Sequence, residues 1–158
     1  MRRKAEGIGL AIVGAGRVGL FRGEVAARHP AVQWIGIAEK NHNRGLYVAE
    51  KIGADFVTQD HRELLKRSEV TCAIIATDEH LHVDPILATI ERGVPMLIEK
   101  PLATDLGQSA RVLKAITDAS SMPSSATPSA FAANGSPARR RCAADRSARS
   151  PWSPRAHS

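Results

Sequence analysis

Three glycines near the amino terminus have the spacing found in phosphate-binding loops. Gly14, Gly16 and Gly19 follow a continuous apolar run and precede a segment whose apolar residues recur at helical spacing. In such a strand–loop–helix unit the first glycine permits a tight turn, the second lets a pyrophosphate approach the backbone, and the third lets the helix pack closely on the strand. Free N–H groups and the helix dipole favour an anion at the helix start. The sequence therefore predicts a dinucleotide site, the alternative being a tight turn without a ligand. The predicted loop contacts are Gly14, Gly16, Arg17, Val18 and Gly19.

An acidic residue, Glu39, ends the next apolar run roughly 20 residues beyond the loop, where dinucleotide-binding domains place a ribose ligand. Its carboxylate is expected to accept hydrogen bonds from both hydroxyls of the adenosine ribose. A carboxylate also repels the 2′-phosphate of NADP, so NAD is the expected cofactor. The cations Lys40 and Arg44 follow closely and partly offset this repulsion, which leaves NADP open.

These candidate residues lie at the junctions of five repeated strand–helix units. Short apolar runs predict strands at residues 8–13, 32–38, 55–58, 70–76 and 95–98. Amphipathic segments predict helices at residues 18–28, 41–51, 61–67, 82–92 and 105–119. This alternation predicts an α/β fold, a doubly wound parallel sheet of the Rossmann type with about five strands and helices on both faces.

The alternation of strands and helices stops near residue 119. From there Ala, Ser, Pro and Arg make up about three quarters of the residues, without apolar periodicity. We therefore expect a Rossmann domain at 1–118 and a disordered tail at 119–158, because such a segment buries too little surface to offset its chain entropy. An out-of-frame translation of a GC-rich gene is a hypothesis that would explain this composition. The tail carries most of the net charge of +6, but without a recognisable fold it offers at most non-specific binding to nucleic acid.

Composition also restricts the compartment and the partners. The two cysteines, Cys72 and Cys142, make neither a disulfide framework nor a zinc site, so a reducing cytoplasm is expected. The basic amino terminus is followed by a glycine-broken apolar run, unlike a secretion signal, and no stretch approaches the roughly 18 apolar residues that span a bilayer. His80 and His82 lack a third ligand at useful spacing, so no metal site is predicted.

Two further segments, taken with the glycine loop and with Glu39 and Arg44, carry a specific resemblance. They are residues 76–82 (ATDEHLH) and residues 99–103 (EKPLA). The chain resembles the glucose–fructose oxidoreductase/inositol dehydrogenase (Gfo/Idh/MocA) family from about Leu10 to about Ala119, most specifically at the Glu-Lys-Pro motif. The resemblance implies an NAD(P)-dependent dehydrogenase that transfers hydride between the cofactor and a sugar or polyol hydroxyl.

The resemblance also implies roles for individual residues. The motif lysine, Lys100, would lie near the nicotinamide and the substrate hydroxyl, and a cation at the carboxyl end of a central strand suits that place because it stabilises a developing alkoxide. Glu99 would bond the nicotinamide ribose or orient Lys100. Thr77 and His82 match a pattern that lines the nicotinamide side, where Asp78 replaces the usual proline.

Members of this family continue into a sixth strand and a second α/β domain that supplies substrate contacts and mediates oligomerisation. The segment from Ser120 does not resemble that domain, and about 40 residues are too few to form it. Our interpretation is a truncated cofactor-binding portion that is inactive alone and is not expected to oligomerise. The alternative is a stand-alone dinucleotide-sensing module without catalysis.

Overall fold

A computed structural model of the chain describes residues 7–121 and 132–133. The strands are β1 (Ile8–Val13), β2 (Val32–Ala38), β3 (Phe56–Thr58), β4 (Cys72–Ile75), β5 (Met96–Ile98) and β6 (Ala132–Ala133). The helices are α1 (Arg17–Ala27), α2 (His42–Ile52), α3 (His61–Leu65), α4 (Val83–Arg92) and α5 (Leu106–Ser121), with a short 3₁₀ turn at Glu79–Leu81.

The strands form one parallel sheet in the order β3-β2-β1-β4-β5-β6. From β1 the chain adds strands on one side as far as β3 and then returns to add β4 on the other side of β1. Parallel sheets bind ligands outside the carboxyl ends of the strands at such a switch point. The predicted doubly wound α/β fold is confirmed, and its crevice lies between the loops that follow β1 and β4.

Alternate residues of β1 enter two separate hydrophobic clusters, one on each face of the sheet. Val13 packs in the cluster that contains Ile75 and Ile86, whereas Ile12 packs in the cluster that contains Ile37 and Val48. Because both faces are covered, the strand is apolar without a break, and this continuity was the signal that predicted it.

The predicted tail boundary differs from the structure in two places. Helix α5 extends to Ser121, beyond the boundary at 118, and β6 pairs in parallel with β5 through Leu97 with Ala132 and Ile98 with Ala133. These residues therefore have regular structure, while the expected boundary of the Rossmann domain at 118 and the disorder of the tail stay predictions. A strand pairs through its backbone N–H and C=O groups. Two alanines can therefore extend the sheet although their side chains form no pattern that predicts a strand. The rest of the predicted tail, including its arginines, lies outside the described residues.

Two features are absent from the described part of the chain. Within residues 7–121 and 132–133, no helix is long and apolar enough to cross a membrane. Over the same residues, no group of three or more His, Cys, Asp or Glu side chains is arranged to hold a metal ion.

Candidate functional site

A cavity of about 460 Å³ opens at the carboxyl ends of β1, β2 and β4. Its wall combines three loops that are distant in sequence, namely the glycine loop, the β2–α2 loop and the loop after β4. Predicted site residues in this wall are Gly14, Gly16, Glu39, Arg44 and Thr77. The fold therefore brings these five side chains or backbone positions to one opening.

The three glycines of the loop meet different surroundings. Gly14 has φ +96°, and a Cβ there would lie 2.5 Å from the carbonyl oxygen of Ala76. A Cβ on Gly19 would lie 2.0 Å from the carbonyl oxygen of Gly14, so helix α1 packs directly against the turn. A Cβ on Gly16 would meet nothing within 4 Å, and this open side lies in the cavity wall. The space beside Gly16 is therefore open at the position where a glycine loop of this kind is expected to meet a pyrophosphate.

Helix α1 begins directly beside this open space. Gly16 is its N-cap residue and contributes no side-chain cap, so the first backbone N–H groups have no intrahelical acceptor. The side chains of Arg17 and Val18 are exposed and do not line the cavity. Their contribution to an anion site would therefore come from the backbone.

Glu39 is buried at the end of β2 and is held by three donors. Its Oε2 accepts a hydrogen bond from the Ala15 N–H at 2.8 Å, and its Oε1 accepts from the Asn41 N–H at 2.9 Å and from the Arg44 guanidinium at 2.8 Å. Burial acts to raise the pKa of Glu39, but the hydrogen bonds from Arg44, Asn41 and Ala15 outweigh it and hold the pKa below the usual value for glutamate. The side chain is therefore a carboxylate at neutral pH.

This arrangement changes the predicted role of Glu39. A carboxylate has about four acceptor positions, and the protein fills three of them. Room remains for about one ribose hydroxyl, so the expectation that Glu39 accepts hydrogen bonds from both hydroxyls does not fit the structure. Arg44 lies half-exposed beside it, and its hydrogen bond to Glu39 is the main reason that its own pKa is raised.

Thr77, directly after β4, presents a hydroxyl without a partner. Its Oγ1 is buried and makes no hydrogen bond to any of the residues that the structure describes. A buried polar atom without a partner needs an explanation, and a ligand in the cavity would supply one, because Thr77 forms part of the cavity wall. The next residue, Asp78, is exposed in the same wall and adds the predicted negative charge there.

His82 is buried, with a relative exposure of 1%, and is not in the cavity wall. Its Nδ1 lies 2.7 Å from the carbonyl oxygen of Pro101 and its Nε2 lies 3.0 Å from the carbonyl oxygen of Thr77. A neutral imidazole donates to one of these oxygens, and an imidazolium donates to both. The prediction of direct cofactor contact therefore does not fit His82, which instead ties the loop after β4 to the turn after β5.

His82→Ala is expected to lower the free energy of unfolding by about 2–3 kcal/mol, because the buried ring is lost and at least one of the two carbonyl oxygens that it contacts loses its donor. Urea unfolding followed by circular dichroism measures the loss. His42→Ala is the matched control, since His42 is exposed at the start of α2 and should change stability by less than about 0.5 kcal/mol. Equal losses in the two variants would contradict the bridging role.

Lys100 is exposed directly after β5, in a turn with a cis peptide bond to Pro101. It does not line the cavity that contains Glu39 and Thr77. The structure therefore places Lys100 at the carboxyl-end edge of the sheet but outside the cavity that contains Glu39 and Thr77. No carboxylate in the described part of the chain pairs with its ammonium group.

Glu99 is held by a residue that sequence reasoning missed. Both Nε and a terminal nitrogen of Arg22, on α1, contact Oε1 of Glu99 at 2.7 and 2.6 Å. This ion pair joins the helix that begins at the glycine loop to the turn that carries Lys100. Arg22 lies one helical turn beyond Gly19, on the side of α1 that packs against the protein. A charged residue on a packed helix face is the feature of the sequence that could have indicated an ion-pair partner.

Comparison with known proteins agrees with this arrangement. A family model described as the oxidoreductase family with an NAD-binding Rossmann fold matches residues 8–126. An inositol 2-dehydrogenase of Rubrobacter xylanophilus is 30% identical over 116 residues, which cover 73% of this chain and 33% of that protein. A 2,7-anhydro-N-acetylneuraminate hydratase of Mediterraneibacter gnavus is 31% identical over 96 residues, 61% of this chain and 25% of that protein.

The chain is also similar to solved structures that contain a bound nicotinamide dinucleotide. A structure of GenD2 from gentamicin A biosynthesis in complex with NAD is 28% identical, with a TM-score of 0.65 over 72% of this chain and 32% of that one. Levoglucosan dehydrogenase in complex with NADH and L-sorbose is 26% identical, with a TM-score of 0.64 and the same shares of the two chains. The chain thus spans about one third of the length of the relatives it matches.

Proposed function

The chain belongs to the Gfo/Idh/MocA family of oxidoreductases, as its motifs predicted, and we propose that it is the part of such an enzyme that binds the nicotinamide dinucleotide for hydride transfer to or from a sugar or polyol hydroxyl. As a Rossmann domain of this family it is NAD-binding. The reaction and the substrate class are inferred from relatives named as inositol and levoglucosan dehydrogenases.

The observation that carries this proposal is the open side of Gly16 in the cavity wall. The surrounding residues suit a dinucleotide, because helix α1 begins there without a side-chain cap and the Thr77 hydroxyl lacks a partner among the described residues. Backbone N–H groups at a helix start bind phosphate oxygens. In this proposal Gly16 and the first turn of α1 hold the pyrophosphate, and Thr77 bonds the cofactor near its ribose.

Lys100 is the candidate catalytic residue. A bound nicotinamide accepts or gives the hydride, and the protein must bind and orient the hydroxyl that exchanges it. An ammonium group at the carboxyl end of β5 donates a hydrogen bond to that hydroxyl oxygen and stabilises the negative charge that develops on it. His82 and Arg22 hold the two residues that flank Lys100 in sequence, Pro101 and Glu99 respectively.

We further propose that residues outside this chain complete the substrate site. The relatives are about three times as long as the matched region, and Lys100 is exposed rather than enclosed. The present chain is therefore expected to bind cofactor without turning over a substrate. A stand-alone sensing module is the second candidate, because a cavity lined by Gly16, Glu39 and Thr77 is formed by this chain alone.

Titration of the purified chain with NAD, NADH and NADP tests these proposals. Saturable binding of NAD and NADH is expected, with no NADH formed from NAD and myo-inositol, scyllo-inositol or levoglucosan. A folded protein that binds none of the three dinucleotides would refute both candidates. Measurable NADH formation would show that this chain contains a working substrate site. A sensing module must distinguish oxidised from reduced cofactor, so equal affinities for NAD and NADH would argue against it.

A further inference from the structure

The ion pair between Arg22 and Glu99 lies on the side of the switch point opposite to Glu39. Glu39 follows β2, whereas Glu99 follows β5, and the strands between them are ordered β2-β1-β4-β5. The Glu99 N–H donates to the carbonyl oxygen of Ile75, the last residue of β4, at 3.0 Å. Arg22 reaches Glu99 from α1. The pair therefore joins the helix that begins at the glycine loop to the carboxyl ends of β4 and β5.

This position corresponds to the nicotinamide half of a bound cofactor. A dinucleotide lies across the switch point of such a sheet, with its pyrophosphate at the glycine loop and its two nucleoside halves on opposite sides. In the proposed site the cavity that contains Gly16 and Glu39 takes the adenosine half. The nicotinamide half must then extend over the ends of β4 and β5. Arg22 and Glu99 are outside the wall of the adenosine cavity, as a pair at the other half of the site should be.

The nicotinamide ring is the part of the cofactor whose charge changes in hydride transfer. The ring carries one positive charge in NAD and none in NADH, because the added hydride neutralises it. A lone carboxylate beside the ring favours NAD, and a lone cation favours NADH. Glu99 and Arg22 supply one charge of each sign, and two nitrogens of Arg22 lie 2.7 and 2.6 Å from Oε1 of Glu99. Their fields largely cancel, so the intact pair favours neither form.

The pair is sufficiently withdrawn from water for its charges to act on a neighbour. The side chains of Glu99 and Arg22 have relative exposures of 15% and 33%, and partly buried charges are screened less by salt than exposed ones are. Removal of either partner should therefore leave an uncompensated charge that the nicotinamide ring experiences. The exposed Lys100 ammonium adds a positive charge nearby, but it is the same in every variant below and does not affect their comparison.

We propose that Arg22 is a specificity-determining residue, which balances the charge of Glu99 and so sets the relative affinity of the site for oxidised and reduced cofactor. This inference rests on the proposed dinucleotide-binding function. A dehydrogenase binds its cofactor in one form and releases it in the other. A balanced ion pair beside the nicotinamide keeps either form from being held much more tightly than the other.

Calorimetric titration of the purified chain with NAD and NADH tests the balance of charge. In Arg22→Met the uncompensated Glu99 should lower the ratio of the Kd for NAD to the Kd for NADH about fivefold. In Glu99→Gln the uncompensated Arg22 should raise the same ratio about fivefold. The variant with both substitutions should return to within about twofold of the unaltered chain, because neither charge remains. A pair with only a structural role would not move the two single variants in opposite directions.

Three further variants serve as controls for the charge effect. Arg28→Met, at the exposed carboxyl end of α1, and Glu50→Gln, at an exposed position on α2, remove the same charges elsewhere and should leave the ratio unchanged. Arg22→Lys keeps the positive charge and should keep the ratio near that of the unaltered chain. If Arg22→Met does not fold, Glu99→Gln and Arg22→Lys still decide the matter, because one must raise the ratio and the other must not.

ADP-ribose, which lacks the nicotinamide ring, separates failure of this inference from failure of the proposed function. Its Kd should change by less than about twofold in Arg22→Met and Glu99→Gln, since it lacks the group on which the charges act. If the dinucleotides bind but both single variants shift the ratio in the same direction or not at all, the inference is wrong and the proposed function stands. If neither NAD nor ADP-ribose binds to the unaltered, folded chain, the proposed function fails and the inference fails with it.

Discussion

Gly19→Ala is expected to lower the free energy of unfolding by about 3 kcal/mol, at the upper end of the cost of overpacking. The added methyl group would lie 2.0 Å from the carbonyl oxygen of Gly14. Neither partner is the end of a flexible side chain, so relief requires α1 to move away from β1. The Gly14 backbone cannot move aside, because it is already packed against the backbone of Ala76 and Thr77. Urea unfolding followed by circular dichroism measures the loss.

Gly16→Ala is the control for this prediction. Gly16 has φ −71° and open space where a Cβ would lie, so the substitution should change stability by less than about 0.5 kcal/mol. The two glycines stand three residues apart in one loop, which makes their expected difference a sharp test. If both variants lose the same stability, the close approach of α1 to the turn is not what requires Gly19.

The sheet was predictable from sequence because its strands are buried on both faces. The run at residues 32–38 matches β2 without a shift, and the prediction at 95–98 exceeds β5 by one residue. The run at 70–76 is longer than β4, which spans Cys72–Ile75. Val70 and Ala76 are buried although they lie outside the strand. Apolar runs report burial, whereas strand bounds follow from backbone pairing, which side chains do not encode.

The residues of the site were predictable by type, but their partners were not. Glu39, Thr77, Gly14 and Gly16 do meet at one cavity, since the carboxyl ends of parallel strands lie at one edge of the sheet. The bonds made by Glu39 and His82 are directed at backbone groups of other loops. A backbone N–H or C=O has the same chemistry at every residue, so no pattern in the sequence marks Ala15 or Pro101 as a partner.

The ion pair between Arg22 and Glu99 shows a related limit. The two residues are 77 positions apart, and their meeting depends on β5 lying two strands away from β1, within reach of a long side chain on α1. The sequence predicts the alternation of elements, but the placement of one helix residue over one strand end follows only from the assembled packing. A charged residue on a packed helix face nevertheless indicates that some partner exists.

Gly16→Val is expected to remove most dinucleotide binding without loss of stability. The valine side chain should not clash with other protein atoms, since nothing lies within 4 Å of a Cβ at Gly16. That room is the part of the cavity proposed for the pyrophosphate, so the side chain excludes the phosphates from the first N–H groups of α1. Losing two hydrogen bonds to a charged group should raise the Kd for NAD roughly 100-fold or more.

The measurement pairs a titration of NAD with urea unfolding of the same Gly16→Val preparation. Reduced affinity in a protein of unchanged stability is the combination expected when a substitution blocks a ligand rather than the fold. In Gly19→Ala the same two measurements should show the opposite balance, with the larger change in the free energy of unfolding rather than in the Kd for NAD. Full NAD affinity in Gly16→Val would mean that the dinucleotide does not pass over Gly16, and the phosphate site would then have to lie elsewhere along the cavity wall.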